Sequence, residues 1–61
     1  MYEMTVVLPS VTLTELHDTY ALALVSAYVW VPKLGRRIAG WKKGDFCIWM
    51  LECGQVIVRR A

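Results

Sequence analysis

The sequence is short of the residues from which most active sites are assembled. It holds one histidine, His17, and two cysteines, Cys47 and Cys53, in 61 residues. A single histidine excludes His-pair metal motifs within one chain, and Cys-x5-Cys is not the close-spaced knuckle of a structural zinc site. On one extended strand the two thiols stand roughly 20 Å apart, too far for a disulfide. Both are read as small core or turn residues. His17 and Asp18 are sequence neighbours, so on a helix they diverge by about 100° and cannot orient one another. A nucleophilic dyad of His17 with either cysteine has no support in the spacing. Glycines at 35, 40, 44 and 54 match neither a phosphate-binding loop nor a dinucleotide fingerprint. No catalytic residue, cofactor or metal is expected, and the chain reads as non-enzymatic.

Positive charge is missing from the whole first half. Residues 1–32 contain Glu3, Glu15 and Asp18 and no Lys or Arg. Met1–Thr5 therefore lack the basic start of a secretory signal, which makes a cytoplasmic protein the expectation. The uncharged stretch Tyr20–Val31 is 12 residues long, short of the ~20 that span a bilayer. His17-Asp18 and Pro32-Lys33 close it on either side, so no membrane partner is expected.

Apolar residues, by contrast, are in excess: 57% of the chain. One small domain covering residues 1–61 has the most surface per residue and should be the least apolar. The surplus calls for cover by another copy or another protein, and it excludes intrinsic disorder. A homo-oligomer, a homodimer at least, is the expected state.

Met4–Leu8 is a short β-prone run closed by Pro9, which cannot extend a sheet ladder. Thr12-Leu13-Thr14-Glu15 fits a capping box, with Val11 and Leu16 placed as a hydrophobic staple. Leu13, Leu16, Tyr20, Ala23, Leu24 and Ala27 then share one helical face. These signals predict a helix from about residue 13 to between 26 and 30. A competing period of two runs through Tyr20, Leu22, Leu24, Tyr28 and Trp30, with His17-Asp18-Thr19 as a turn. Residues 33–45, with three glycines and five basic residues, read as a loop. Phe46–Leu51 and Val56–Arg60 read as a hairpin around Cys53-Gly54, Gly54 supplying a positive φ. That register sets Leu51 against Val56, Trp49 against Val58 and Cys47 against Arg60.

One face of this hairpin carries Cys47, Trp49, Leu51, Val56 and Val58. The other carries Phe46, Ile48, Met50 and Ile57. A single helix covers only one of them. The expected fold is α+β, a β-α-β-β order with a three-stranded sheet and one helix on a face, the alternative being a small all-β barrel of SH3 or OB type. Phe46, Ile48, Met50 and Ile57, with Leu22, Val25 and Val29 on the outer side of the helix, are the expected protein interface.

The second half carries a net charge of +5 from seven Lys and Arg against Asp45 and Glu52. Lys33, Arg36, Arg37, Lys42 and Lys43 surround Trp41, joining phosphate-neutralising charge to a flat ring able to stack on a base. Arg59 and Arg60 extend the patch. The expected function is a small homo-oligomeric regulator contacting DNA or RNA through this basic loop. The alternative is an inhibitor of phage or mobile-element type, docking its apolar face onto a host protein.

Overall fold

The computed structural model describes residues 1–61 and contains seven elements. Strands β1 (Tyr2–Val7) and β2 (Thr12–His17) form a hairpin, followed by helix α1 (Tyr20–Trp30) and a 3-10 turn over Val31–Leu34. Strands β3 (Arg37–Lys43), β4 (Phe46–Leu51) and β5 (Gly54–Arg60) complete a single five-stranded antiparallel sheet in the order β2-β1-β5-β4-β3. The expected three-stranded β-α-β-β fold is therefore incorrect. The barrel alternative fits in part: the sequence does turn at Asp18-Thr19 and most of it is strand, but the sheet is open and Tyr20–Trp30 is helical.

Each missed strand has a physical cause. Residues 12–17 read Thr, Leu, Thr, Glu, Leu, His, which offers a capping box and leucines at helical spacing on one reading and β-prone threonines on the other. Pairing with β1 decides between them, running from Val7 opposite Thr12 to Tyr2 opposite His17. The helix is capped instead by Thr19, whose Oγ1 accepts from the Leu22 amide at 3.2 Å. Residues 37–43, expected as loop, form an edge strand whose Gly and Lys content disfavours β structure in isolation; the ladder with β4 imposes it.

The β4–β5 hairpin exists with a register two residues from the expected one. Leu51 faces Gly54, Trp49 faces Val56 and Cys47 faces Val58. The turn is Glu52-Cys53, because the connector before β3 binds it: the Glu52 amide donates to the Arg36 carbonyl at 3.1 Å and the Cys53 amide to the Leu34 carbonyl at 2.9 Å. Gly54 does not take a positive φ; Gly35 and Gly44 do. Glycine is required at 54 because a Cβ there would run into the Val7 carbonyl oxygen. A slip of two keeps strand parity, so the two hairpin faces are composed as expected.

The core consists of Met4 and Val6 on β1, Val56 and Val58 on β5, Cys47 and Leu51 on β4, Ala23 and Ala27 on α1, and Leu34. The two alanines bring the helix close onto β1 and β5. Fully burying a Val or Met side chain contributes about 1.5–3 kcal/mol, so the four central side chains of β1 and β5 anchor the fold. Accessible surface is 4019 Å², which matches the ~4,000 Å² of a folded monomer of this mass. The exposed apolar residues therefore reflect the one-helix architecture and not loose packing. No helix is long and apolar enough to cross a membrane.

Candidate nucleic-acid interface

Strand β3 is an edge strand with every residue exposed. A register shift between Arg37 and Ala39 leaves Ile38 in a bulge, a feature that twists an edge and re-aims its side chains. Cross-strand partners then set the faces. Arg37, Gly40 and Lys42 lie opposite Leu51, Trp49 and Cys47, on the helix side of the sheet. Ala39, Trp41 and Lys43 lie opposite Met50, Ile48 and Phe46, on the open side.

The seven cations named from the sequence divide into two groups. Arg59 Nε donates to Glu3 Oε1 at 2.8 Å, and an Arg60 Nη donates to Asp45 Oδ2 at 3.1 Å and to the Tyr2 hydroxyl at 3.2 Å. The Tyr2 hydroxyl, and then the Asp45 carboxylate, hold Arg60 more firmly protonated than a free guanidinium. Lys33, Arg36, Arg37, Lys42 and Lys43 form no ion pair. Lys33 Nζ lies 5.4 Å from the centre of the Trp30 ring. The Glu52 carboxylate beside Arg36 accepts from the Arg36 backbone amide at 2.6 Å and not from the guanidinium. Trp41 is exposed on the open face, edge-to-face with Phe46 at 5.4 Å. The structure thus brings Arg37 and Lys42 to one side of β3 and Trp41 and Lys43 to the other.

On the helix side, a cleft of about 240 Å³ opens between α1, β3 and β4. Leu24 and Tyr28 of α1, residues Arg37 and Gly40–Lys42 of β3, and Cys47–Trp49 of β4 line it, so Trp41 borders the cleft as well as the open face. The Tyr28 and Trp49 rings meet edge-to-face, 5.6 Å apart and at 68°. These aromatics were not among the sequence-derived site residues. Their signal is the pairing of Trp49 with Gly40, visible only once residues 37–43 are known to be a strand.

The apolar residues also divide. Leu22, Val25 and Val29 are exposed on the outside of α1, while Phe46, Ile48, Met50 and Ile57 lie on the sheet face that no helix covers. The two sets lie on opposite sides of the molecule and do not make one surface. Across the open face, Cα partners run Thr14, Thr5, Ile57, Ile48, Trp41 from edge to edge.

Two other clusters carry titratable groups. Glu15 Oε1 accepts from Ser26 Oγ at 2.6 Å and lies 2.9 Å from His17 Nε2. Both contacts, Ser26 first, lower the Glu15 pKa and make it a weaker base. The serine meets the carboxylate and not the histidine, which is the wrong order for activating a nucleophile. Tyr20 Oη and Cys47 Sγ share a hydrogen at 2.9 Å, and this bond, aided by burial, pushes the Tyr20 pKa up to about 12. Both clusters join α1 to the sheet. Comparison with protein-family models, curated proteins and solved structures gives no match.

Proposed function

We propose that the chain is a small non-enzymatic module that binds nucleic acid along the β3 edge. The observation that carries this reading is the difference in pairing: Arg59 and Arg60 are held by carboxylates, whereas the five cations between residues 33 and 43 are not. Arg37, Lys42 and Lys43 on the exposed edge strand, with Lys33 and Arg36 in the connector before it, release counterions when phosphates replace solvent, which drives sequence-independent binding. Binding to random-sequence oligonucleotides, measured against salt, tests it. Replacing Arg36, Arg37, Lys42 and Lys43 by Gln should flatten the log–log salt dependence by about 0.7 per contacted phosphate. No binding at low salt overturns the reading.

A second reading rests on the open sheet face, where Phe46, Ile48, Met50 and Ile57 have no covering element. That face suits another copy of the chain, giving a homo-oligomeric regulator, or a host protein that the chain inhibits. Ile48→Asp should abolish such an association while charge neutralisation leaves it intact, as read by sedimentation and by capture of a single stable partner. A monomer at micromolar concentration removes self-association.

A further inference from the structure

We infer that the cleft between α1, β3 and β4 receives one unpaired base of a single-stranded nucleic acid whose backbone follows β3. This rests on the nucleic-acid reading above and assigns the base-binding face within it. Phosphates neutralised along an edge strand send their bases to one side of the sheet, and the two sides differ in what they offer.

On the open side Trp41 is already edge-to-face with Phe46, and no second wall rises beside it. On the helix side, Gly40 sits opposite Trp49 on the neighbouring strand, and the flat Arg37 guanidinium lies over the glycine, 3.0 Å from where a Cβ would stand. Tyr28 stands across from it, with its ring edge-to-face on Trp49 and most of its surface in water. A planar group stacked on one of these rings meets the other at its edge, an arrangement favoured by aromatic quadrupoles. Arg37 and Lys42 line the same cleft, where their charges attract the phosphates on either side of an inserted base.

Size sets the ligand class. The volume, about 240 Å³, lies just under the ~300–1,000 Å³ of sites for drug-sized molecules. One flat ring system fits and a base pair does not. Rings and aliphatic groups share the lining with the cations Arg37 and Lys42. Stacking without base-edge hydrogen bonds gives little sequence preference.

The test compares labelled oligothymidylate, an abasic oligomer of equal length and charge, a duplex and thymidine monophosphate, each titrated with the full chain at low salt. Oligothymidylate should bind about fivefold to a hundredfold tighter than the abasic oligomer, and tighter than the duplex or the mononucleotide. Gly40→Val fills the cleft and Tyr28→Ala removes a wall, and neither changes charge. A Cβ at Gly40 would stand 3.0–3.2 Å from the Arg37 guanidinium, the far end of a flexible side chain, which must move aside. Tyr28→Ala, its fold checked by circular dichroism, should bring oligothymidylate to the abasic level and leave abasic binding unchanged, and Gly40→Val, which also displaces the Arg37 guanidinium, should bring the ratio of the two affinities to one. Equal binding of oligothymidylate and the abasic oligomer overturns the cleft and spares the β3 reading, as does a preference that both Tyr28→Ala and Gly40→Val leave intact. A mononucleotide bound as tightly as the oligomer makes the cleft a nucleotide site and overturns the single-strand assignment. Absence of all binding overturns both readings.

Discussion

The two edges of the sheet, β2 and β3, are alike in length and exposure and opposite in their use of charge. At the β2 side the carboxylates are engaged within the fold. Glu15 ties the strand to α1 through Ser26, and Glu3 on the adjoining β1 holds Arg59 of β5. At the β3 side Arg37, Lys42 and Lys43 meet no carboxylate. Charge on one edge is consumed in holding elements together. On the other it remains available, and it also guards an unpaired ladder against joining another strand.

The strongest attempt to break this contrast neutralises each set of cations in turn. With Arg36, Arg37, Lys42 and Lys43 changed to Gln, the salt slope falls by about 2.8, so between about 50 and about 200 mM salt the native chain loses about fiftyfold more affinity than the variant. Arg59→Gln with Arg60→Gln should leave that slope unchanged. Equal flattening by both sets would mean that pairing with Glu3 and Asp45 does not distinguish the cations.

A smaller effect sharpens the β2 side. Thr19→Ala removes the cap of α1 and should cost about 1 kcal/mol in chemical denaturation, whereas Thr12→Ala on the edge strand should stay within about 0.5 kcal/mol. A larger loss at Thr12 would restore the capping box as the start of the helix.

Smaller again, Ser26→Ala should cost about 0.5–1 kcal/mol at neutral pH, since Glu15 is half exposed and the bond is screened. The folded pKa of Glu15 is lowered from 4.5, so its stabilisation is present above 4.5 and is lost as pH falls through the lowered value. Melting temperatures of the two proteins should therefore converge in acid. A constant gap down to the lowest pH would show that the bond does not depend on the ionised carboxylate. Nucleic-acid affinity should not respond to this substitution.

The faintest signal lies between the edges. Tyr20 favours its neutral form when folded, with a pKa of about 12 against an ordinary 10.0. Its contribution is complete below 10 and is lost as pH rises through the higher value. Phenolate absorbance of the native chain should show a late step in strong base, absent in Tyr20→Phe.

The central hairpin was legible in the sequence because two β-prone runs, Phe46–Leu51 and Val56–Arg60, flank a glycine-bearing turn, and the composition of its two faces survives a register slip of two. Its turn was not legible, because the amides of Glu52 and Cys53 are held by Arg36 and Leu34, which are 16 and 19 residues away in sequence. The outer strands were hidden for different reasons. In β2, Thr12 and Glu15 satisfied a local helix signal equally well. In β3, Gly40 and the lysines disguised a strand as a loop. The basic character of the candidate site was plain from residues 33–43, but its division between two faces required the pairing of β3 with β4, and the aromatic corner of Tyr28 and Trp49 required the packing of α1 on the sheet.

By itself the sequence determined quantities that do not depend on partners at a distance: the separation of charge between its halves, the two apolar faces of the last hairpin and their excess over what one helix covers. The tertiary structure decided which competing period each ambiguous segment follows, which cations find carboxylates and which ring stands beside which. Those outcomes are set by backbone pairing between remote strands, where several weak local preferences of about 1 kcal/mol or less yield to the ladder and the core that form around them.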